Sequence, residues 1–109
     1  MSKLRYYTSL VSVEIIEKLY DVGCPNLERF TVEEGKVQYS DTTYADIFDG
    51  LIKKGLCVAV HPRLNSCWCA DVEDASGIMF SSPLEPSFKD AANCAIQFVI
   101  KVLEEKKKK

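Results

Sequence analysis

Apolar positions recur along this chain first at helical spacing, then at strand spacing, and the two rhythms alternate to its end. Val13, Ile16, Leu19 and Tyr20 fall on one helical face; Ser12 precedes them with a hydroxyl able to cap the helix, Glu14 suits its first turn, and Gly23 ahead of Pro25 ends it. From residue 27 to 40 the period drops to two. Glu34-Gly35 there reads as a two-residue turn that pairs Val32 with Val37 and Phe30 with Tyr39 on one face. Thr43 and Asp46 form a capping box with Asp in place of Glu. Behind it Tyr44, Ile47, Phe48, Leu51 and Ile52 make the strongest amphipathic helix of the chain, stopped by Gly55.

Two strands follow at residues 56–61 and 66–73, joined by residues 62–65; a third, residues 77–82, is introduced by Asp74-Ala75-Ser76-Gly77. Together they predict an antiparallel meander. Ser87 and Asp90 make a second capping box, opening a helix over residues 87–104 with Phe88, Ala91, Ala92, Ala95, Val99, Val102 and Leu103 on one side.

The order is α-β-β-α-β-β-β-α, which predicts one α+β domain over residues 1–109, its antiparallel sheet carrying helices on one face. Residues 1–41 form a helix-plus-hairpin extension, residues 42–105 an αβββα unit, and residues 106–109 a solvated lysine tail. Phe48, Leu51, Val58, Val60, Trp68, Val99 and Val102 are the expected core. The αβββα half resembles the double-stranded-RNA-binding fold in element order, a topological likeness that carries no function by itself. No internal repeat or Gly/Ser/Pro-rich linker divides the chain.

Composition supports this picture. With 109 residues, 47% of them hydrophobic and 28% charged, the chain has the make-up of a folded globular domain with one modest core. The formal charge of −2 includes the four lysines at 106–109, so the body is more acidic than the total. Phosphate neutralisation needs clustered Lys and Arg, so no nucleic-acid partner is expected beyond weak contact by Arg5, Tyr6, Tyr7 and the terminal lysines. No apolar run approaches the ~18 residues of a membrane span, and the N-terminus leads into no signal-peptide-like segment, so no membrane association and a cytoplasmic location are expected. Five cysteines, an odd number without a secretion signal, favour reduced thiols over disulfides.

One constellation has chemical potential. If Val58, Val60, Trp68, Ala70 and Val72 face the helices, alternation puts Cys57, Ala59, His61, Cys67, Cys69 and Asp71 on the opposite sheet face, with His61 paired to Cys67 and Ala59 to Cys69. Cys57, His61, Cys67 and Cys69 are thus candidate zinc ligands. Yet Cys-x-Cys along a regular strand sets its sulfurs ~6–7 Å apart, and structural zinc sites favour tight knuckles, so packing or an interface is the preferred reading and no metal is expected. His61 is the lone histidine, and neither a nucleophile elbow nor a phosphate-cradling glycine loop is present. No cofactor, small-molecule substrate or enzymatic activity is expected.

The segments 11–23, 35–40, 43–55, 66–72 and 87–96 resemble, over nearly the whole chain, small proteins of unassigned function encoded in phage-like and mobile regions of gut bacteria. That resemblance implies a phage-related accessory role and transfers no catalytic residue. The end of the chain is also similar to antitoxins of the HicB type, in which a short sheet precedes a helix rich in Ala and acidic residues; it implies a regulator with weak nucleic-acid contact. A zinc- or thiol-dependent module is a further alternative. The favoured expectation is protein–protein contact or self-association through the outer face of the meander, at Cys57, Ala59, Cys67 and Cys69, unless the N-terminal helix and hairpin cover it.

Overall fold

A computed structural model describes residues 4–107. It contains the α-β-β-α-β-β-β-α order in full, preceded by a one-turn helix, α1 (Leu4–Tyr7), that no periodicity announces. Helix α2 (Val13–Asp21) begins after Ser12, although the serine side chain makes no capping bond. Strands β1 (Arg29–Thr31) and β2 (Val37–Tyr39) form a separate two-stranded sheet. Helix α3 (Tyr44–Ile52) has the complete capping box: the Asp46 amide donates to Thr43 Oγ1 at 3.2 Å, and the Thr43 amide to the Asp46 carboxylate at 3.1 Å. Such a cap contributes about 1 kcal/mol. The meander is β3 (Cys57–Arg63), β4 (Cys67–Asp74) and β5 (Gly77–Ser81), in that spatial order, and α4 (Phe88–Lys107) closes the chain.

The sheet carries its helices on one face. Val58, Val60, Ala70 and Val72 point into a core shared with Ile47, Phe48 and Leu51 of α3 and with Ala91, Ala95, Ile96 and Val99 of α4. Ile16, Leu19 and Cys24 belong to the same cluster, so α2 and the turn after it contribute to this core. The end of α2 lies beside the end of α4, where the Lys107 ammonium donates to the Asp21 carbonyl at 2.8 Å. Helix α4 buries Ile96 and Ile100 besides the expected stripe. Lys106 and Lys107, the described part of the expected solvated lysine tail, are exposed, and Lys107 makes the bond to Asp21; Lys108 and Lys109 lie outside the described residues.

The β1–β2 and β3–β4 hairpins each turn through three residues, and each turn moves a register. At Glu33–Gly35, Glu34 (φ 66°) and Gly35 (φ 76°) are both left-handed, and the pairs are Phe30 with Gln38 and Thr31 with Val37. One residue more than the expected two-residue turn separates Phe30 from the face of Tyr39. Tyr39 packs against Tyr20, ring centroids 5.7 Å apart, while Phe30 is exposed.

At Leu64–Ser66 the left-handed residues are Asn65 and Ser66, and β3 continues through Pro62 to Arg63. Proline is tolerated there for a local reason. Val60 turns its peptide groups away from β4: the Tyr7 hydroxyl accepts from the Val60 amide at 3.4 Å and donates to its carbonyl at 3.3 Å. Pro62, two residues on, therefore occupies an outward edge position where no N–H is needed. Tyr7 thereby occupies part of the open edge of β3. No helix of the described residues is long and apolar enough to cross a membrane.

Candidate functional site

The outward face of the meander is built from alternate positions of β3 and β4. The register sets Cys57 opposite Glu73, Ala59 opposite Asp71, His61 opposite Cys69 and Arg63 opposite Cys67. The expected pairs of His61 with Cys67 and Ala59 with Cys69 are replaced because the tighter turn slides one strand by two residues. A shift of two preserves the faces. All the residues assigned to the outer face are therefore on it, and Arg63, expected in a loop, joins them.

Strand β5 completes the face through a bulge. Phe80 pairs with Val72, but Ile78 pairs with Glu73, leaving Met79 as the extra residue. Phe80 consequently turns inward to stack on Phe98, centroids 4.7 Å apart, whereas Ile78 sits beside Cys57, Ala59 and Glu73 on the outer face. Simple alternation would have put Ile78 and Phe80 on one side, which is why Ile78 escaped the sequence reading.

Polar contacts lace this surface. His61 Nε2 lies 3.3 Å from Asp71 Oδ2, and the Ser81 hydroxyl donates to Asp71 Oδ1 at 2.7 Å. Arg63 Nε donates to Cys69 Sγ at 3.1 Å. The histidine side chain is 39% exposed and the aspartate 27%, so water screens their pairing to about 1 kcal/mol or less. Both oxygens of Asp71 are engaged, and its serine neighbour contacts the carboxylate rather than the imidazole. This is not the nucleophile–base–carboxylate order of a hydrolytic triad.

The four candidate metal ligands do not assemble. Cys57 stands opposite Glu73 near one end of the sheet, His61 opposite Cys69 farther along, and Cys67 opposite Arg63 at the hairpin end. Among the described residues no group of three or more His, Cys, Asp or Glu side chains is placed to hold a metal ion. All five cysteines are free thiols.

Of the expected interaction residues, Cys57 is exposed, Ala59 and Cys67 are half-buried, and Cys69 is buried against the Arg63 guanidinium. The N-terminal elements pack on the helical side, through Ile16 and Leu19, and leave the outer face open. A shallow depression of about 190 Å³ is lined there by Cys57, Ala59, His61, Asp71, Glu73 and Ile78, all from the meander itself. Ile78 is 65% exposed.

A second concavity, about 410 Å³, lies between the ends of α2 and α4 and is lined by Tyr20, Val22, Leu103, Lys54, Lys106 and Lys107. Its lysines have a structural role, because helix C-termini expose carbonyls of partial negative charge that attract cations. Lys107 satisfies one of them.

Burial separates the thiols. It pushes Cys24 up from the ordinary 9.0 to about 11, against a smaller opposing pull from Lys54; Cys94 is also raised, first by burial and then by Glu85. At pH 8 iodoacetamide should therefore label the exposed Cys57 well before Cys24, as read by peptide mass spectrometry. Equal rates at the two positions would contradict the buried placement of Cys24. The unfolded thiol ionises near 9 and the folded one near 11, so the protection that Cys24 gives is complete below pH 9 and is lost as pH rises through 11.

No protein-family model matches the chain, and no curated protein or solved structure does so either.

Proposed function

We propose that the protein is a small non-catalytic binding module whose working surface is the outer face of the β3-β4-β5 meander. One observation carries this reading. The helices cover only one side of the sheet, and the other side presents Ile78, Cys57 and Ala59 around a shallow depression without any element of the chain above it. Apolar groups displayed together on a flat surface with a polar surround are the composition of an interface centre. The polar groups beside them are tied to one another, His61 to Asp71 and Arg63 to Cys69, which supports a rigid recognition surface more than a reacting centre.

Ile78→Lys and Cys57→Lys test the reading, because both side chains are exposed and the folded monomer tolerates them. Each variant should keep the wild-type urea midpoint and lose the complexes, with itself or with other chains, that wild-type protein forms by size-exclusion chromatography in extract of its host. Unchanged complexes in both variants would exclude the meander face as the working surface. Cys69→Lys is unsuitable as a test, since it buries a charge at a 7% exposed position and should destabilise the fold.

A further inference from the structure

Resting on that reading, we infer that the occupant of the outer face is a second copy of this chain, packed face to face about a two-fold axis that lies between the sheets and across the strands. The face is electrically polar along its length. Arg63 stands at the hairpin end and Glu73 at the opposite end of β4, while His61 and Asp71 between them pair with each other. A two-fold of this orientation reverses the strand direction, so it sets the Arg63 end of each copy over the Glu73 end of the other. It makes the contact twice, as an isologous interface requires.

The exposed Arg63 uses Nε on Cys69, and its two terminal nitrogens make no hydrogen bond among the described residues, which leaves them available to a carboxylate. Glu73 is exposed and its cross-strand neighbours are Cys57 and Ile78, neither of which neutralises it. A parallel arrangement of the same two faces would oppose Arg63 to Arg63 and Glu73 to Glu73.

The area limits the strength. Three strands at ~4.8 Å spacing and about seven residues of ~3.3 Å rise make a face whose mutual burial is on the order of 1,000 Å², the low end of specific interfaces. The expected dimer is therefore of roughly micromolar affinity and weakens with salt, because rim charges orient it.

Sedimentation equilibrium of the purified chain tests this with a charge exchange. Wild type should sediment at twice the 12.3 kDa chain mass at about 100 μM in low salt. Arg63→Glu and Glu73→Arg should each weaken the dimer by about tenfold or more, and the double exchange Arg63→Glu/Glu73→Arg should return it to within about threefold of wild type. If Arg63→Glu loosens the hairpin end through Cys69, its lower urea midpoint will reveal it, and Glu73→Arg, which breaks no intramolecular contact of the described residues, carries the test alone. A wild-type monomer at several hundred micromolar, singles that dimerise like wild type, or a double exchange without recovery overturns the second copy as occupant. In those cases the broader reading stands or falls separately, on whether Ile78→Lys and Cys57→Lys still abolish complexes in host extract.

Discussion

Phe88→Ala should leave the protein largely unfolded or close to it in dilute buffer. Phe88, the first residue of α4 and 3% exposed, is the ring on which four others converge: Tyr6 at 5.4 Å, Tyr7 at 5.2 Å, Tyr44 at 5.6 Å and Trp68 at 5.6 Å between centroids. Three of the four meet it edge-on, the arrangement the ring quadrupole favours. Removing a buried phenyl costs about 3–5 kcal/mol, from a total stability of typically 5–15 kcal/mol. The loss should be at the upper end, because these rings come from α1, α3 and β4 and no single neighbour can collapse into the space. Urea denaturation followed by tryptophan fluorescence checks it, and Phe88→Leu should recover a large part by restoring volume. Trp68→Ala is the weaker change, since Trp68 is half-buried and its aromatic partners are Tyr6 and Phe88. A Phe88→Ala midpoint equal to wild type would show that the ring cluster holds nothing together.

Gly50→Ala should destabilise, against the ordinary rule for a helix interior. In α3 the exchange of glycine for alanine normally gains about 1 kcal/mol from helix propensity. Here the added Cβ would lie 2.6 Å from the Pro25 carbonyl oxygen and 3.2 Å from its carbon, which are backbone atoms with no rotamer to yield. The segment behind them is fastened on both sides: the Asn26 amide nitrogen donates to the Asp46 carbonyl at 3.1 Å, and Lys53 donates to Asn26 Oδ1 at 3.1 Å. Overpacking of this kind costs about 1–3 kcal/mol, so the net effect is a loss, with α3 forced away from residues 24–26. Thermal denaturation of Gly50→Ala reads the sign directly; a higher Tm would mean that the segment yields freely.

Local rules account for what was legible in the chain. The capping box at Thr43, the apolar face of α3 apart from the exposed Ile52, and the strand–strand–strand–helix succession each depend on neighbours within a few residues, and each is present. What the sequence concealed depends on contacts between distant residues or on turn geometry. Glu34 and Ser66 adopt left-handed backbone that their side chains do not advertise, so both hairpin registers differ from expectation. Ile96 and Ile100 lie outside the expected stripe of α4 yet are buried, because the core wraps more of the helix than one stripe. Trp68, the largest apolar side chain, was the natural choice for the core centre, but Phe88 holds that place. The face carrying Cys57, Ala59, Cys67 and Cys69 was readable from period-two alternation alone, and its charged ends were not, because Arg63 enters the sheet only when Pro62 is accepted in a strand.

Early and late segments of this chain meet across long stretches of sequence: Tyr6 and Tyr7 close on Phe88, and Asp21 receives Lys107. For a protein made from its N-terminus onward this sets an order of events. The ring cluster lacks its centre until residue 88 has left the ribosome. The core cluster that holds Ile16 and Leu19 thus lacks its α4 members until late in synthesis, and contacts of such long sequence separation make the final closure slow relative to local folding. A chain cut short before α4 would display the inner face of its sheet to solvent, and the cell's proteolytic machinery would meet it as an unfinished product.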